Sequence, residues 1–338
     1  MSSFPQFGEK TGALEVAKAF EEEIRGKHVL ITGAAVSGIG GATAMAIASQ
    51  HPASLIICGR SEDRLNNMAS NIGQSYPDVH VKPLVMDLSS QKSVRDAAKK
   101  VLENSEIIDL LINNAGIALS DKRLAGDGTE LQLATNHIGH FLFTNLILQS
   151  LLVAAKSNPA GSTRVVNLTS LGYLFSPIRF SDYNFDKSDI PEEERPNRDY
   201  IKGFGLPLGP EPFGSWEAYG QSKTANILFS VYLNEHLARH GISSFSVHPG
   251  LVQTELGRHL PGQSEDLAGI QSVLQPKTLD QGAATTLVAA FDPSLKASSG
   301  VLLADCQLIG AEKYAVDPKA AERLWQLSEQ IVGQSFSI

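Results

Sequence analysis

The chain has 338 residues, 42% of them hydrophobic and 19% charged. That is a soluble globular composition, long enough for one large α/β domain with a full core and unlike disordered or fibrous chains. The net charge is −8 and no basic block appears, which argues against a nucleic acid or an anionic membrane surface as partner.

The N-terminal residues 1–26 lack the basic start and continuous apolar core of a signal peptide. Their Ala, Glu and Leu predict a short helical extension. No apolar run approaches the length of a membrane span. Cys58 and Cys306 each sit in an apolar run that reads as a strand, and are expected as buried thiols in a reducing compartment. The expected location is cytoplasmic.

From residue 28 onward, short apolar runs alternate with helical patterns. Strands are predicted at 28–32, 54–58, 81–86, 109–113, 164–168, 243–248 and 300–304, and helical stretches at 41–50, 61–73, 89–105, 135–156 and around Tyr219. Strands that are apolar throughout belong to parallel sheets covered on both faces. The fold class is therefore α/β: a doubly wound parallel sheet of about seven strands, Rossmann-type, with helices on both faces, forming a single domain over 1–338. The segment 172–214 breaks this rhythm. It holds six of the 16 prolines and eight of the 23 aromatics, too many aromatics for a disordered linker. It is expected to be an ordered irregular excursion on the C-terminal edge of the sheet.

The first strand runs into "ITGAAVSGIGGATA". Gly33, Gly38 and Gly40 lie between a strand and a helix, where glycine permits a sharp turn and close approach of a phosphate to the helix N-terminus, with Ser37 and Ile39 beside them. A glycine-rich connection without a ligand would look the same; the strand–turn–helix setting in the first βαβ unit favours a dinucleotide. At the end of the second strand stands Arg60, where an NAD site usually offers an acid to the ribose 2′-hydroxyl. An arginine pairs instead with a 2′-phosphate, which favours NADP(H) over a surface role.

The stretch "SWEAYGQSKTANILF" sets Tyr219 and Lys223 four positions apart, on one face of a helix. They are either a solvated pair or a phenol kept beside an ammonium for proton transfer.

Seven stretches occur in order: "TGAAVSGIG" (32–40), "MDL" (86–88), "NNAG" (113–116), "TNHIGHF" (135–141), "VVNLTS" (165–170), "YGQSK" (219–223) and "HPGLVQTEL" (248–256). With them the chain resembles the short-chain dehydrogenase/reductase superfamily, in particular its retinol-dehydrogenase-like branch and fungal relatives. The resemblance implies roles. Asp87 would hold the adenine amino group, and Asn114 would line the cofactor trough near the adenosine ribose. Asn136 would anchor a water relaying protons to the lysine, and Ser170 would orient the substrate oxygen. Tyr219 would be the general acid/base. Lys223 would hold the nicotinamide ribose and favour the phenolate, and Val252 and Thr254 would contact the nicotinamide amide. Each has a plainer alternative: Asp87 and Thr254 as helix caps, Asn136 as a solvated helix residue, Ser170 as a turn serine. His137, His140 and His248 lack metal-ligand spacing and read as structural, so no metal is expected.

Two departures from the family pattern stand out. Four residues, Ala34 to Ser37, separate Gly33 from Gly38 where three are usual, so the loop must bulge. Ser170 and Tyr219 are 49 positions apart, several times the spacing in compact members; monomeric carbonyl reductases carry an excursion at the same place. The excursion is expected to cover part of the helix surface through which many members associate, giving a monomer, with a homodimer as the alternative. The expected function is hydride transfer between NADP(H) and a lipophilic carbonyl or alcohol. Tyr173, Phe175, Phe180, Tyr183 and Phe185 supply a candidate pocket wall. The alternatives are a non-redox dehydratase or cyclase using the same tyrosine, and a cofactor-binding scaffold without turnover.

Overall fold

In the first strand, β1 (His28–Thr32), Val29 and Ile31 pack into one apolar layer and Leu30 into the other. That alternation is what a strand does when both of its faces are covered. The computed structural model describes residues 4–104, 107–254, 256 and 275–337. The expected 1–26 extension is thus described from residue 4, the helical stretch 89–105 lies within the described residues except for position 105, and the expected stretch 248–256 does so except for position 255.

The extension forms α1 (Ala13–Ala19) and α2 (Glu21–Ile24). The repeating unit then runs through α3 (Ile39–Ala48), β2 (Ser54–Gly59), α4 (Glu62–Ser75), β3 (Val81–Val85), α5 (Gln91–Asn104) and β4 (Leu110–Asn113). Next come α6 (Leu131–Leu133), a π-helical turn at Ala134–Ile138, α7 (Gly139–Leu146), α8 (Leu148–Ser157) and β5 (Thr163–Leu168). A 3-10 turn at Leu171–Phe175 leads into the excursion, which contains α9 (Arg198–Gly203) and is followed by the long α10 (Ser215–Leu237) and β6 (Ile242–His248). The short β7 (Leu251–Val252) and β8 (Pro276–Lys277) pair with each other. The described chain closes with α11 (Leu279–Phe291), β9 (Leu302–Ala304), β10 (Gln307–Ile309), α12 (Lys313–Val316) and α13 (Pro318–Val332).

The main sheet has eight strands in the order β10-β9-β6-β5-β4-β1-β2-β3, all parallel except the edge strand β10. The eighth strand is an addition to the seven expected. It follows a turn at Asp305–Cys306, where both residues have positive φ (48° and 62°), so Cys306 sits in a hairpin turn rather than in the expected strand. One layer of core joins α1, α3, α4 and α11; the other joins α5, α7, α10 and α13. The stretch 135–156, expected as one helix, bends by 58° at Ile147. Among the described residues no single helix is long and apolar enough to cross a membrane.

Charged residues hold the excursion down. The Arg179 guanidinium donates to Asp182 and to the Lys187 carbonyl, and Asp182 accepts from the amides of Asp186 and Lys187. Glu194 accepts from the amide and hydroxyl of Ser181 at 2.9 and 2.6 Å. A buried charge persists only when its partners are in place, so these contacts fix the segment's path despite its scarcity of regular structure. Strand order reverses between β4 and β1, and in open α/β sheets the crevice above that switch point is where ligands bind.

Candidate active site

A cleft of about 600 Å³ opens at the C-terminal ends of the strands, above the β1–β4 switch point. At one end lies the glycine loop. Gly33 has φ +72°, and a Cβ there would stand 2.8 Å from Ala115 Cα, so both conformation and space demand glycine. The extra residue forms a tight turn closed by Gly38 N–H donating to the Ala35 carbonyl at 3.0 Å. The Gly38 amide is thus spent inside the turn. Ser37, Gly38 and Ile39 line the cleft where α3 begins. Gly40 faces the other way: a Cβ there would lie 2.4 Å from Asn114 Nδ2 and 2.6 Å from the Gly33 carbonyl oxygen. Its part is close packing of helix on strand. Asn114 Nδ2 donates to the carbonyls of Thr32 and Gly33 at 2.8 and 3.1 Å, so besides lining the cleft it braces the loop.

At the end of β2, Arg60 lines the cleft as expected, and so does Arg64 in the first turn of α4. Arg64 was not anticipated from the sequence. The signal was present: it is four positions after Arg60 and just inside a helix capped by Ser61, whose hydroxyl accepts from the Arg64 amide at 3.4 Å. Asp87 stands back from the cleft, which Met86 and Leu88 line on either side of it. Its Oδ1 accepts from the Ser89 amide and hydroxyl at 2.9 and 2.7 Å, a local turn; the cap of α5 is Ser90, whose hydroxyl accepts from the Ser93 amide at 3.3 Å.

Tyr219 and Lys223 share one face of α10 and line the same cleft, 6% and 4% exposed. A solvated surface pair is thereby ruled out. Lys223 Nζ lies 5.5 Å from the centre of the Tyr219 ring and donates to the Leu168 carbonyl at 3.2 Å. The Thr169 hydroxyl donates to the Lys223 carbonyl at 2.7 Å, fixing α10 to the end of β5. Ser170 follows directly. A Cβ added to Gly172 would meet Tyr219 Cε1 at 2.9 Å and Ser170 Oγ at 3.4 Å, so serine hydroxyl and phenol edge flank one small space. A Cβ on Gly116 would be 3.3 Å from both Asn136 Oδ1 and Lys223 Nζ, which brings Asn136 to the lysine. Asn136 lies in the π-helical turn, an irregularity frequent at functional sites. Its Oδ1 accepts from the Ile117 amide at 2.8 Å, and its Nδ2 donates to the Ile117 carbonyl and to Ser222 Oγ at 3.0 and 2.9 Å. It is not a solvated helix residue.

Burial governs the protonation of the pair. It pushes the Tyr219 phenol up to about 12, with the Ser170 hydroxyl acting in the opposite direction as a hydrogen-bonding neighbour. It brings the Lys223 ammonium down to about 8. The lowering of the phenol by Lys223 expected from the sequence is not seen in the site by itself: desolvation raises the phenol, and the opposing influence is the Ser170 hydrogen bond.

The histidines are structural ties among the described residues. His140 Nε2 meets Thr32 Oγ1 at 2.8 Å and its Nδ1 meets the Asn136 carbonyl at 3.0 Å. Since a carbonyl only accepts, Nδ1 carries the proton and the Thr32 hydroxyl donates to Nε2. His248 Nδ1 accepts from the Leu171 amide at 3.2 Å. No three His, Cys, Asp or Glu side chains cluster as a metal site among the described residues.

Beyond Ser170 the cleft is apolar, walled by Ala118, Leu171, Phe175, Phe204, Leu206 and Trp216. Of the aromatics expected there, only Phe175 lines it. Tyr173 packs against Ile227, Leu302 and Ala315, and the Phe185 ring lies under the Arg179 guanidinium at 4.2 Å. Phe180 and Tyr183 pack on the α10 side of the core. Trp216, one turn before Tyr219, stands edge-on to it at 6.0 Å. Val252 and Thr254 also line the cleft. The Val252 side chain sits over Gly282, where a Cβ would come within 2.5 Å of it. The Thr254 hydroxyl accepts from the Leu256 amide at 3.2 Å.

Comparison with known proteins agrees with this geometry. The short chain dehydrogenase family model matches residues 27–188. Oxidoreductase fscI of Fusarium equiseti is 38% identical over 72% of this chain and 94% of its own. Human retinol dehydrogenase 12 is 35% identical over 92% of this chain and 88% of its own. A crystal structure of an uncharacterized protein from Mycobacterium paratuberculosis aligns with a TM-score of 0.63 at 28% identity, covering 93% of this chain and 96% of that one. The chain belongs to the short-chain dehydrogenase/reductase family, in its retinol-dehydrogenase-like branch. It is an oxidoreductase by family, with the small-molecule chemistry that implies.

Proposed function

We propose that the protein is an NADP(H)-dependent reductase of a lipophilic ketone or aldehyde, or a dehydrogenase of the matching alcohol, with Tyr219 as general acid/base. One observation carries the reading: a single cleft runs from two guanidiniums, Arg60 and Arg64, past Ser170, Tyr219 and Lys223, to an apolar wall. The residues present suit a dinucleotide. Gly33 leaves the backbone open to close approach, and the start of α3 offers amides and a positive dipole end to phosphate. Arg60 and Arg64 suit a 2′-phosphate. Lys223 would hold the nicotinamide ribose, and Val252 and Thr254 would face the nicotinamide amide. The cofactor, when bound, supplies the hydride.

The chain's own residues do the rest. Ser170 donates a hydrogen bond to the substrate oxygen and keeps it beside the phenol. Tyr219, protonated at neutral pH, gives its proton to that oxygen as it gains charge. Lys223, with Asn136 at its back, is the next station for a returning proton. The apolar wall, free of charged side chains, excludes water and favours an uncharged, lipophilic substrate. The reading also includes a cytoplasmic protein acting as a monomer, with a homodimer as the alternative.

The test is a panel of ketones and aldehydes with NADPH and, separately, NADH, followed by loss of reduced-cofactor absorbance. Consumption of NADPH with lipophilic members supports the proposal. Substrate conversion without cofactor consumption would instead identify a dehydratase or cyclase, and cofactor binding without any conversion a scaffold.

A further inference from the structure

Two amide side chains, Gln132 and Asn136, stand four positions apart where α6 passes into the π-helical turn, both 0% exposed. They make parallel connections. Asn136 grips the Ile117 backbone and donates to Ser222 Oγ, whose hydroxyl donates to the Tyr219 carbonyl at 2.7 Å. Gln132 Oε1 accepts from the Leu119 amide at 3.1 Å, and its Nε2 donates to the Ser215 carbonyl at 3.2 Å. Each amide therefore ties the segment leaving β4 to α10. The ties reach α10 on either side of Tyr219, at Ser215 and Ser222. Between the gripped residues lies Ala118, which lines the cleft and packs in one apolar cluster with Tyr219 and Trp216.

The tie at Ser215 matters because the first turn of α10 has no side-chain cap: its N-cap is Gly214. The Arg198–Glu217 ion pair, at 3.3 Å, is a further side-chain hold on that turn. With Asn136 alone, the helix would be held to the 117–119 segment only beyond Tyr219, and its first turn would lose this brace. An amide accepts and donates at once, as this bridge requires; a carboxylate only accepts and a thioether does neither job well.

We propose that Gln132 is a positioning residue for Tyr219, setting with Asn136 the gap between Ala118 and the phenol and hence where a substrate carbonyl comes to rest. This rests on the reading of Tyr219 as the proton donor. Misplacing a reacting group by about 1 Å can cost on the order of 100-fold in rate.

The experiment is Gln132→Met, which keeps the volume and removes the bridge. It is read by steady-state kinetics, NADPH affinity from cofactor fluorescence, the isotope effect with NADPH deuterated at the transferred hydrogen, and hydrogen exchange. The expected result is kcat lower by about 10- to 100-fold, NADPH affinity within about twofold, a larger isotope effect, and faster exchange at the Leu119 amide. Unchanged kcat and isotope effect, even with a lowered Tm, would overturn the proposal, because a purely structural glutamine predicts that pattern. If Gln132→Met does not fold, Gln132→Asn, one methylene too short to span the gap, is measured the same way. Should the wild-type protein consume no NADPH with any carbonyl, the functional reading fails. The positioning inference is then decided by exchange at Leu119 and the first turn of α10, where unchanged protection in the variant refutes it.

Discussion

The Lys223 ammonium lies 5.5 Å from the centre of the Tyr219 ring, and burial drives the two groups in opposite directions, the ammonium down to about 8 and the phenol up to about 12. A protonated phenol is the form a carbonyl reductase needs. Tyr219→Phe should keep the fold and NADPH binding while turnover drops by about 100- to 10,000-fold. Lys223→Ala should lose turnover and also loosen the cofactor. Near-normal activity in Tyr219→Phe would remove the tyrosine from the mechanism.

The same burial makes Lys223 a liability without cofactor. Its folded-state value, about 8, lies below the ordinary 10.5, so the unfolded chain holds the proton more firmly. The penalty is absent above pH 10.5, grows as pH falls, and is complete below about 8, where it amounts to roughly 3 kcal/mol. Lys223→Met should therefore stabilise the cofactor-free protein at pH 7, the gain shrinking as pH rises through that window. The Leu168 carbonyl keeps a donor in the variant, Asn226 Nδ2 at 2.8 Å. Urea unfolding at pH 7 and pH 10.5 measures the difference; a variant less stable than wild type at pH 7 contradicts it.

Three buried histidines predict acid sensitivity. Desolvation lowers His137 to about 3 and His140 and His248 to about 4, against an ordinary 6.5. Stability these groups give as neutral rings is present above pH 6.5 and lost as pH falls towards those values. Glu130 works the other way: burial raises it to about 7, so it adds stability as pH falls from 7 towards 4.5. Three protons against one leaves a net loss of roughly 2–3 kcal/mol per pH unit between about pH 6 and 5. A flat urea midpoint across that range would show that the histidines are not buried as described.

Cofactor choice should follow the guanidiniums. Arg60→Ala and Arg64→Ala should each weaken NADPH by about ten- to hundredfold, the worth of a charge-assisted contact, and leave NADH nearly unchanged. Equal loss of both cofactors would shift attention to the bulged turn at Ala34–Ser37.

Much of this molecule was legible in its sequence. The apolar runs of β1, β2 and β4 reveal a parallel sheet because both faces must be buried, and Tyr219 and Lys223 announce themselves by helical spacing. What escaped has physical reasons. The edge strand β10 is three residues long and follows an Asp–Cys turn, which carries none of the usual glycine or asparagine signals. The π-helical turn holding Asn136 keeps the apolar pattern of an ordinary helix, so only coordinates reveal it. Arg179, Asp182 and Glu194 are buried, and no local spacing signals this, because part of what holds them comes from elsewhere in the fold. The phenol's upward shift depends on surrounding atoms that no local motif records.

The excursion covers part of α10 at its start, through Leu171–Phe175, and α13 covers a further part. Trp325 stacks on Tyr232 at 4.0 Å and meets Phe141 edge-on at 4.8 Å, with Phe336 beside it. With that surface used internally, sedimentation should show a monomer of 36.2 kDa, and a stable tetramer would contradict it. Trp325→Ala should cost about 3–5 kcal/mol of stability.

Tyr232 and Trp325 are also 93 positions apart in the chain. At about 5–20 residues per second, a ribosome needs roughly 5–20 s to add the stretch between them. For that time the nascent protein carries Tyr232 on a helix that lacks its α13 cover, although Phe229 already has Phe141 and His137 to pack against. Such an uncovered face is what holdase chaperones bind, so the yield of this protein in a cell should depend on them more than its finished stability suggests. A message truncated before residue 318 would make an adhesive product rather than a smaller enzyme.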